Sequence, residues 1–543
     1  MNKPTPSTAP LDAAPADNFD RLTFLGWRWG LVAIVAGLAA SFFLFGYAVI
    51  YWRNADMDFM VIHSALALND GKPQHFFDHP AYLTILSTKL WFQLLHAVGL
   101  LDAWSLSAIP PASDAAAFDA AMTEAVRAGR LLVLLIAVGC VLIFAALMRA
   151  VVRDWRVAML ATLAFAFSGG IAVHSRILRS ELVSACPVIF ALLILIIAGR
   201  RATLGRPLAL ALAAALCMIG LQNKVQTILL IGALPLLALP FGSSESASIA
   251  FWRNTRAAWL ASLGAAIAAA AVVWIAWPLI ATGFDRALLD AEQFRPLLLG
   301  RYGVYQSALA LLIGGCMIAY AAIWRVSAAE TLASMLAMTA ATFLALLLLE
   351  LQYDPRNVIA VINPIEKMLV FADASGANAA NASGLSGMFV LLLQGIGSVL
   401  ARYTFFLHSS PRPTVFLVWL IIPGLVLAWR RGERLVALQS LLLLLAAIGI
   451  DALGVRRGLK AEYFIYTDPL IIISGALLLD CLSDLRFHRW AYVAGTTLFV
   501  LHIAVSQAEP VKYAFKRTGP ESICQWNKYY APLLPLPWCP PRP

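Results

Sequence analysis

Charge is scarce in this sequence. Asp, Glu, Lys and Arg make up 13% of its 543 residues, against about 25% in an ordinary soluble domain. A purely soluble globule and a disordered chain are thereby excluded. Seven cysteines are too few for a small disulfide scaffold, and 34 glycines too few for a collagen repeat. No basic run interleaved with aromatics occurs, so no nucleic-acid partner is expected. There is no H-E-x-x-H, G-x-S-x-G or Walker-A motif, which leaves zinc proteolysis, triad hydrolysis and nucleotide-driven pumping without support. The eight histidines are scattered, with no metal-ligand spacing. What is abundant is apolar: 61% of residues are hydrophobic and the mean hydropathy is +0.79. These values define an all-α polytopic membrane protein.

Apolar stretches of spanning length recur about thirteen times. They lie near 28–50, 131–148, 157–174, 182–199, 207–221, 225–241, 258–281, 305–323, 331–350, 414–429, 435–453, 468–485 and 490–507. The net charge of +10 is unevenly placed. Alternate short connections collect arginines: Arg149, Arg153 and Arg156; Arg200, Arg201 and Arg206; Arg253 and Arg256; Arg325; Arg430, Arg431 and Arg434; Arg486 and Arg489. The positive-inside bias puts these connections and residues 1–27 in the cytoplasm. Nothing in 1–27 reads as a cleavable signal. An odd number of spans then leaves residues 508–543 outside, where Cys524 and Cys539 either pair or stand as two thiols.

Two outer loops are long. Residues 52–130 contain two stretches with apolar residues at helical spacing, Asp58–Leu68 and Ala81–Leu101, expected to lie as helices on the membrane surface. Residues 351–413 form the other long loop, with an amphipathic stretch at Gly387–Arg402.

The outer connections carry the residues able to do chemistry. Asp56 and Asp58 follow the first span; such a pair can hold a divalent cation, activate a hydroxyl, or simply be solvated helix-end residues. Asp78 and His79 precede Pro80, which restricts His79 to extended geometry; a plain turn reads equally well. The short turn from His174 to Glu181 holds Arg176, Arg179 and Glu181, against the positive-inside trend. Its arginines suit phosphate oxygens, and Glu181 is either their ion-pair partner or an active-site acid. Lys224 follows Gly220, and either snorkels or meets an anionic headgroup. Arg457 and Lys460 again place positive charge on the outer side.

In order and sidedness these features resemble the GT-C glycosyltransferases, and within them the lipid A aminoarabinose transferases and protein O-mannosyltransferases. The likeness rests on Asp56 after the first span, Gly71 at the end of the next stretch, Asp78-His79-Pro80, Glu181, Gly220 to Lys224, and a partly kept Glu462-Tyr463 with Pro469; it is best over 28–240. Met57 stands where the family has the second acid of its pair, and Glu462 where it has arginine. The resemblance implies a GT-C-like bundle in a bacterial inner membrane, with a periplasmic site. It implies a polyprenyl-phosphate-linked sugar as donor and a glycolipid such as lipid A, a polysaccharide or a protein as acceptor. Asp56 would be the base, with Asp58, Asp78 and Glu181 as further catalytic acids. Lys224, Arg176, Arg179, Arg457 and Lys460 would hold the donor phosphate, and His79 and Tyr463 would position substrate. Mg²⁺ or Mn²⁺ at Asp56 and Asp58 is the cofactor to test. Two other readings compete: a lipid or solute transporter or flippase, favoured by acids near spans such as Glu350 and Asp451, and an O-antigen ligase or polymerase.

Overall fold

The computed structural model describes residues 21–54, 58–75, 77, 80–242, 247–294, 304–367, 384–403, 412–454, 461–483, 489–515 and 519–540. Among these residues the regular structure is entirely helical. The chain opens with α1 (Arg21–Phe42), α2 (Met60–Asn69), α3 (Tyr82–Ala97), α4 (Ala115–Val151), α5 (Trp155–Phe167), α6 (Gly169–His174) and α7 (Ser180–Arg200). It continues through α8 (Arg206–Leu221), α9 (Thr227–Ala238), α10 (Arg256–Gly283), α11 (Arg286–Ala291), α12 (Val304–Ile323), α13 (Ala328–Leu346) and α14 (Pro355–Ile362). It ends with α15 (Gly384–Arg402), α16 (Val415–Arg430), α17 (Arg434–Gly454), α18 (Asp468–Ser483), α19 (Arg489–Ser506), α20 (Ala508–Phe515) and α21 (Cys524–Tyr530). Each apolar stretch expected to span falls on a helix, except 157–174, which breaks at the extended Ser168 into α5 and α6. Six helices are long and apolar enough by themselves to cross a membrane, and the other apolar ones are shorter. The chain is a polytopic all-helical membrane protein.

The arrangement follows from which helices are apolar all round. α7 and α18 are buried along nearly their whole length, and α5 packs with α4, α18 and α19 around them. α8, α10 and α13 form a second layer on α7. The outermost helices expose large apolar residues, among them Trp274 on α10, Leu208 on α8, Leu311 on α12 and Trp490 on α19. A belt of this kind is untenable in water and natural in lipid.

The ends of the bundle differ in chemistry. At one end, Asp480 near the end of α18 accepts the backbone N–H groups of Arg153 (3.1 and 3.0 Å) and Asp154 (2.8 Å), and Arg206 pairs with Glu330 at 3.1 Å. This is the arginine-rich end expected inside. The opposite end, called outer after that expectation, carries the segment between α1 and α4, the α6–α7 turn and the start of α18. α4 is 37 residues long, about 55 Å at ~1.5 Å per residue, so it outruns a hydrocarbon core of about 30 Å. Its first turns belong to the outer loop, and Asp114 caps them by accepting the Ala117 N–H at 3.1 Å.

One expectation about that loop fails. α2 does not lie on a surface: Met60 to Leu68 are buried on every side, enclosed by α3, α4 and the turn at Leu106–Ala108. Its polar residues, His63 and Ser64, are compact enough to be enclosed with it. α3 keeps the expected two-faced character. It buries Tyr82, Ile85 and Phe92 while exposing Leu90 and Leu94.

The tail is folded onto the outer end. Cys524 and Cys539 form a disulfide with Cα atoms 5.5 Å apart. Trp538 packs among Tyr51, Trp52 and Phe118, with ring centroids 5.4–6.0 Å apart. A cross-link spanning 15 residues is worth about 3 kcal/mol by restricting the unfolded chain. Cys524→Ser with Cys539→Ser should therefore lower the stability of the outer end by about that amount. Thermal melting of the purified protein, followed by Trp fluorescence, measures it; an unchanged melt would mean that the bridge contributes nothing.

Candidate active site at the outer end of the bundle

The site is built from the turns that join the buried helices. At the α6–α7 turn, Arg179 is extended and Ser180 begins α7. Glu181 therefore falls in the first turn of that helix, where the N–H dipoles favour negative charge. Its carboxylate is fully buried. Arg179 donates to it through Nε (3.2 Å) and Nη2 (3.1 Å), and Lys224 Nζ donates to Oε1 from the α8–α9 turn.

Gly220 makes that approach possible: a Cβ there would stand 2.6 Å from the Ser184 carbonyl oxygen and 2.8 Å from Val188. Lys224 is itself fully buried, with its ammonium 5.1 Å from the ring centre of Tyr463. Around it, the Tyr466 hydroxyl donates to Ser184 Oγ at 3.1 Å, and Ser184 bonds to Thr227. Two cations, Arg179 and Lys224, thus hold one carboxylate inside a medium of low dielectric.

Asp58 is held differently from the expectation. Its Oδ2 accepts two bonds from Arg130, from Nε at 2.9 Å and Nη2 at 2.7 Å, and its Oδ1 accepts the backbone N–H of Leu178. Arg130 is completely buried and also donates to the carbonyls of Gly46 (3.1 Å) and Val49. Asp58 therefore anchors the start of α2 to both α4 and the α6–α7 turn. Both of its oxygens are thus engaged in holding this junction. Among the described residues, no group of three or more His, Cys, Asp or Glu side chains gathers as metal ligands. Asp56, Asp78, His79, Arg457 and Lys460 lie outside the described residues.

Arg176 has no carboxylate partner among the described residues. Nη2 donates to Ser41 Oγ and to Gln507 Oε1 (3.2 Å), and the guanidinium lies 5.6 Å from the Phe45 ring centre. Nε and Nη1 are buried without an acceptor. Burial pushes its pKa down to about 10. The exposed Leu44 and Phe515 flank this position on the outer surface, so a buried cation with spare donors sits behind the apolar belt.

A second ionic cluster escaped the sequence reading. Arg412 donates through Nε to Asp468 Oδ1 (3.1 Å), through Nη2 to Thr467 Oγ1 (2.7 Å) and through Nη1 to Asp451. Its guanidinium stacks 3.9 Å from the Phe464 ring centre. Burial opposes its charge, yet Asp451, Tyr403 and Asp468 together hold its pKa above the ordinary arginine value. Arg402 lies close to Arg412 and Asp451 as well, so this cluster, like the first, mixes both signs of charge. The short helix Ala461–Tyr466 joins them, with Tyr463 beside Lys224 and Phe464 beside Arg412. The signals were present in the sequence: an arginine between two prolines just before α16, and an Asp-Pro pair opening α18.

Asp58, Arg176, Arg179, Glu181, Lys224 and Tyr463 thus converge at one end of the bundle. No protein-family model matches this chain, and no curated protein matches it. Among solved structures, it is similar to the archaeal oligosaccharyltransferase AglB from Archaeoglobus fulgidus, in complex with an inhibitory peptide and a dolichol-phosphate. The identity is 15% and the TM-score 0.48, with 95% of this chain and 61% of that chain covered. The chain accordingly spans about three-fifths of the length of that structure.

The Asp58–Arg130 pair lends itself to a direct check. Asp58→Ala should cost about 3–5 kcal/mol because it leaves a buried guanidinium unpaired. Adding Arg130→Met should recover a large part of that loss, a coupling that thermal melts of the two single variants and the double variant would measure. Additive losses would mean that the two side chains do not act as a pair.

Proposed function

We propose that this protein is a membrane glycosyltransferase that moves a sugar from a polyprenyl-phosphate donor to an acceptor at the extracytoplasmic end of the bundle. The observation that carries this reading is the burial of two cations, Lys224 and Arg179, together on Glu181 where the outer helix ends meet. Arg176 adds a further cation behind the lipid-facing belt, with no carboxylate partner among the described residues. A lipid phosphate arriving from the bilayer would find guanidinium and ammonium donors there, desolvated and already oriented.

The chemistry is a displacement at the anomeric carbon. The bond from that carbon to the phosphate oxygen breaks, and a bond to the acceptor's oxygen or nitrogen forms. The acceptor's proton passes to a base, and the polyprenyl phosphate departs with the electron pair. Lys224, Arg179 and Arg176 would stabilise the charge developing on the leaving phosphate. Asp56 is the proposed base, supported by its place two residues before the anchored Asp58. Asp78 and His79, just before Pro80, and Arg457 and Lys460 are proposed to position substrate and phosphate. A single displacement inverts the anomeric centre. Asp58 serves as a positioning residue, and the reading requires no step through a metal. A bacterial inner membrane with the N-terminus inside and the tail outside completes the proposal.

The carrier reading loses one of its supports: Asp451 is ion-paired with Arg412 close to the end of α17.

Purified protein incubated with a polyprenyl-phosphate-linked sugar and extracted envelope glycolipids, analysed by mass spectrometry, tests the proposal. Lys224→Met keeps the Arg179–Glu181 contact, so the fold should persist while kcat falls by about 10²–10³. Asp56→Asn should abolish transfer. Full turnover by Lys224→Met, or movement of the lipid-linked sugar across acceptor-free liposomes without any transfer by the intact protein, would overturn the reading.

A further inference from the structure

A cleft of about 210 Å³ opens between the two long outer loops. One wall is the α2–α3 connection, with Leu68, Gly71, Lys72 and Gln74; the other is the start of the second loop, with Gln352, Tyr353, Asp354 and Asn357. Its volume is below the ~300–1,000 Å³ of drug-sized sites, leaving room for one small ring. Gly71 adopts a positive φ of 70°, and nothing lies within 4 Å of where its Cβ would stand, so this edge is open.

The lining is rich in amides and close to neutral. Lys72 lies 3.7 Å from Asp70, and Arg356 pairs with Asp354 at 2.9 Å, so the nearby charges compensate one another. An anion would gain little there. Asn357 supplies the independent sign of a ligand. It is 2% exposed, and its Oδ1 is buried with no hydrogen-bond partner among the described residues. A buried orphan acceptor costs stability unless something donates to it. A hydroxyl of a bound polyol would do so, with Tyr353 offering a half-exposed aromatic face beside it.

The cleft is also tied to the cation-rich cluster. Gln74 Nε2 donates to the Pro80 carbonyl at 3.3 Å, and the next residue, Ala81, donates its N–H at 2.9 Å to the carbonyl of Asn223, the neighbour of Lys224.

We infer that this cleft binds a single sugar ring through its hydroxyl groups. The inference rests on the transferase reading for the ring's origin, in the acceptor or in the donor, but not for the binding itself.

Saturation-transfer NMR of the full chain in detergent, with methyl glycosides as probes, tests it. Transfer to ring protons is expected for at least one glycoside. Asn357→Leu should weaken that binding by about tenfold or more while melting no lower than the parent, because it removes an unsatisfied acceptor. Absence of transfer for every glycoside, or parental binding by Asn357→Leu, would overturn the inference. If that variant does not fold, Lys72→Ala at the exposed rim decides instead: weaker binding supports the site and unchanged binding refutes it. Displacement of the glycoside by the polyprenyl-linked donor identifies the donor's sugar as the occupant, and simultaneous binding identifies the acceptor's. A chain that binds glycosides but transfers none keeps the cleft and loses the transferase reading; transfer without glycoside binding does the reverse.

Discussion

A carboxylate enclosed with two cations, far from bulk water, is the constraint on which the outer end depends. Desolvating three charges is costly, and the interior compensates only if all of them are held in contact. Glu181 holds Arg179 from its own turn and Lys224 from the turn of a different helix pair. Losing the acid would remove the partner these two cations share, so Glu181 ties the α6–α7 and α8–α9 turns to each other. On the proposed reading, a lipid phosphate would meet guanidinium and ammonium donors already fixed in place by this contact.

Most of the architecture could be read from hydropathy alone, because spanning helices announce themselves by length and the arginines mark one side. The candidate site was only partly legible. Glu181, Arg176 and Lys224 stood out as charges on the wrong side of very short turns. Arg130 did not, because it begins a long apolar run and its partner Asp58 is 72 residues away. Arg412 was hidden within a long loop, and Asp468, 56 residues away, reads as an ordinary helix cap. Pairing across such distances is decided by how helices pack, which no local pattern encodes. α2 was misjudged for a related reason. Its composition suits an interface, but α3 and α4 close over it and exclude both water and lipid.

Close helix approach is what brings the clusters together, and it depends on a few positions without side chains. A Cβ on Gly170 would stand 2.5 Å from the backbone nitrogen of Ile465, next to the residues that reach Lys224 and Arg412. One on Gly46 would stand 2.8 Å from Cβ of Arg176. The short helix at Ala461–Tyr466 can therefore press against α6, and the end of α1 against the α6–α7 turn. The ionic groups meet because the backbones are allowed to.

The tail has a consequence for how this end is held together. Trp538 fills the gap among Tyr51, Trp52 and Phe118, and it stands next to Cys539, whose bond to Cys524 closes the turn that presents the indole. Reduction of that bond would release the turn and loosen the aromatic packing over Tyr51 and Trp52. The order of the segment after α1 is thus sensitive to the redox state of two thiols remote from it in sequence.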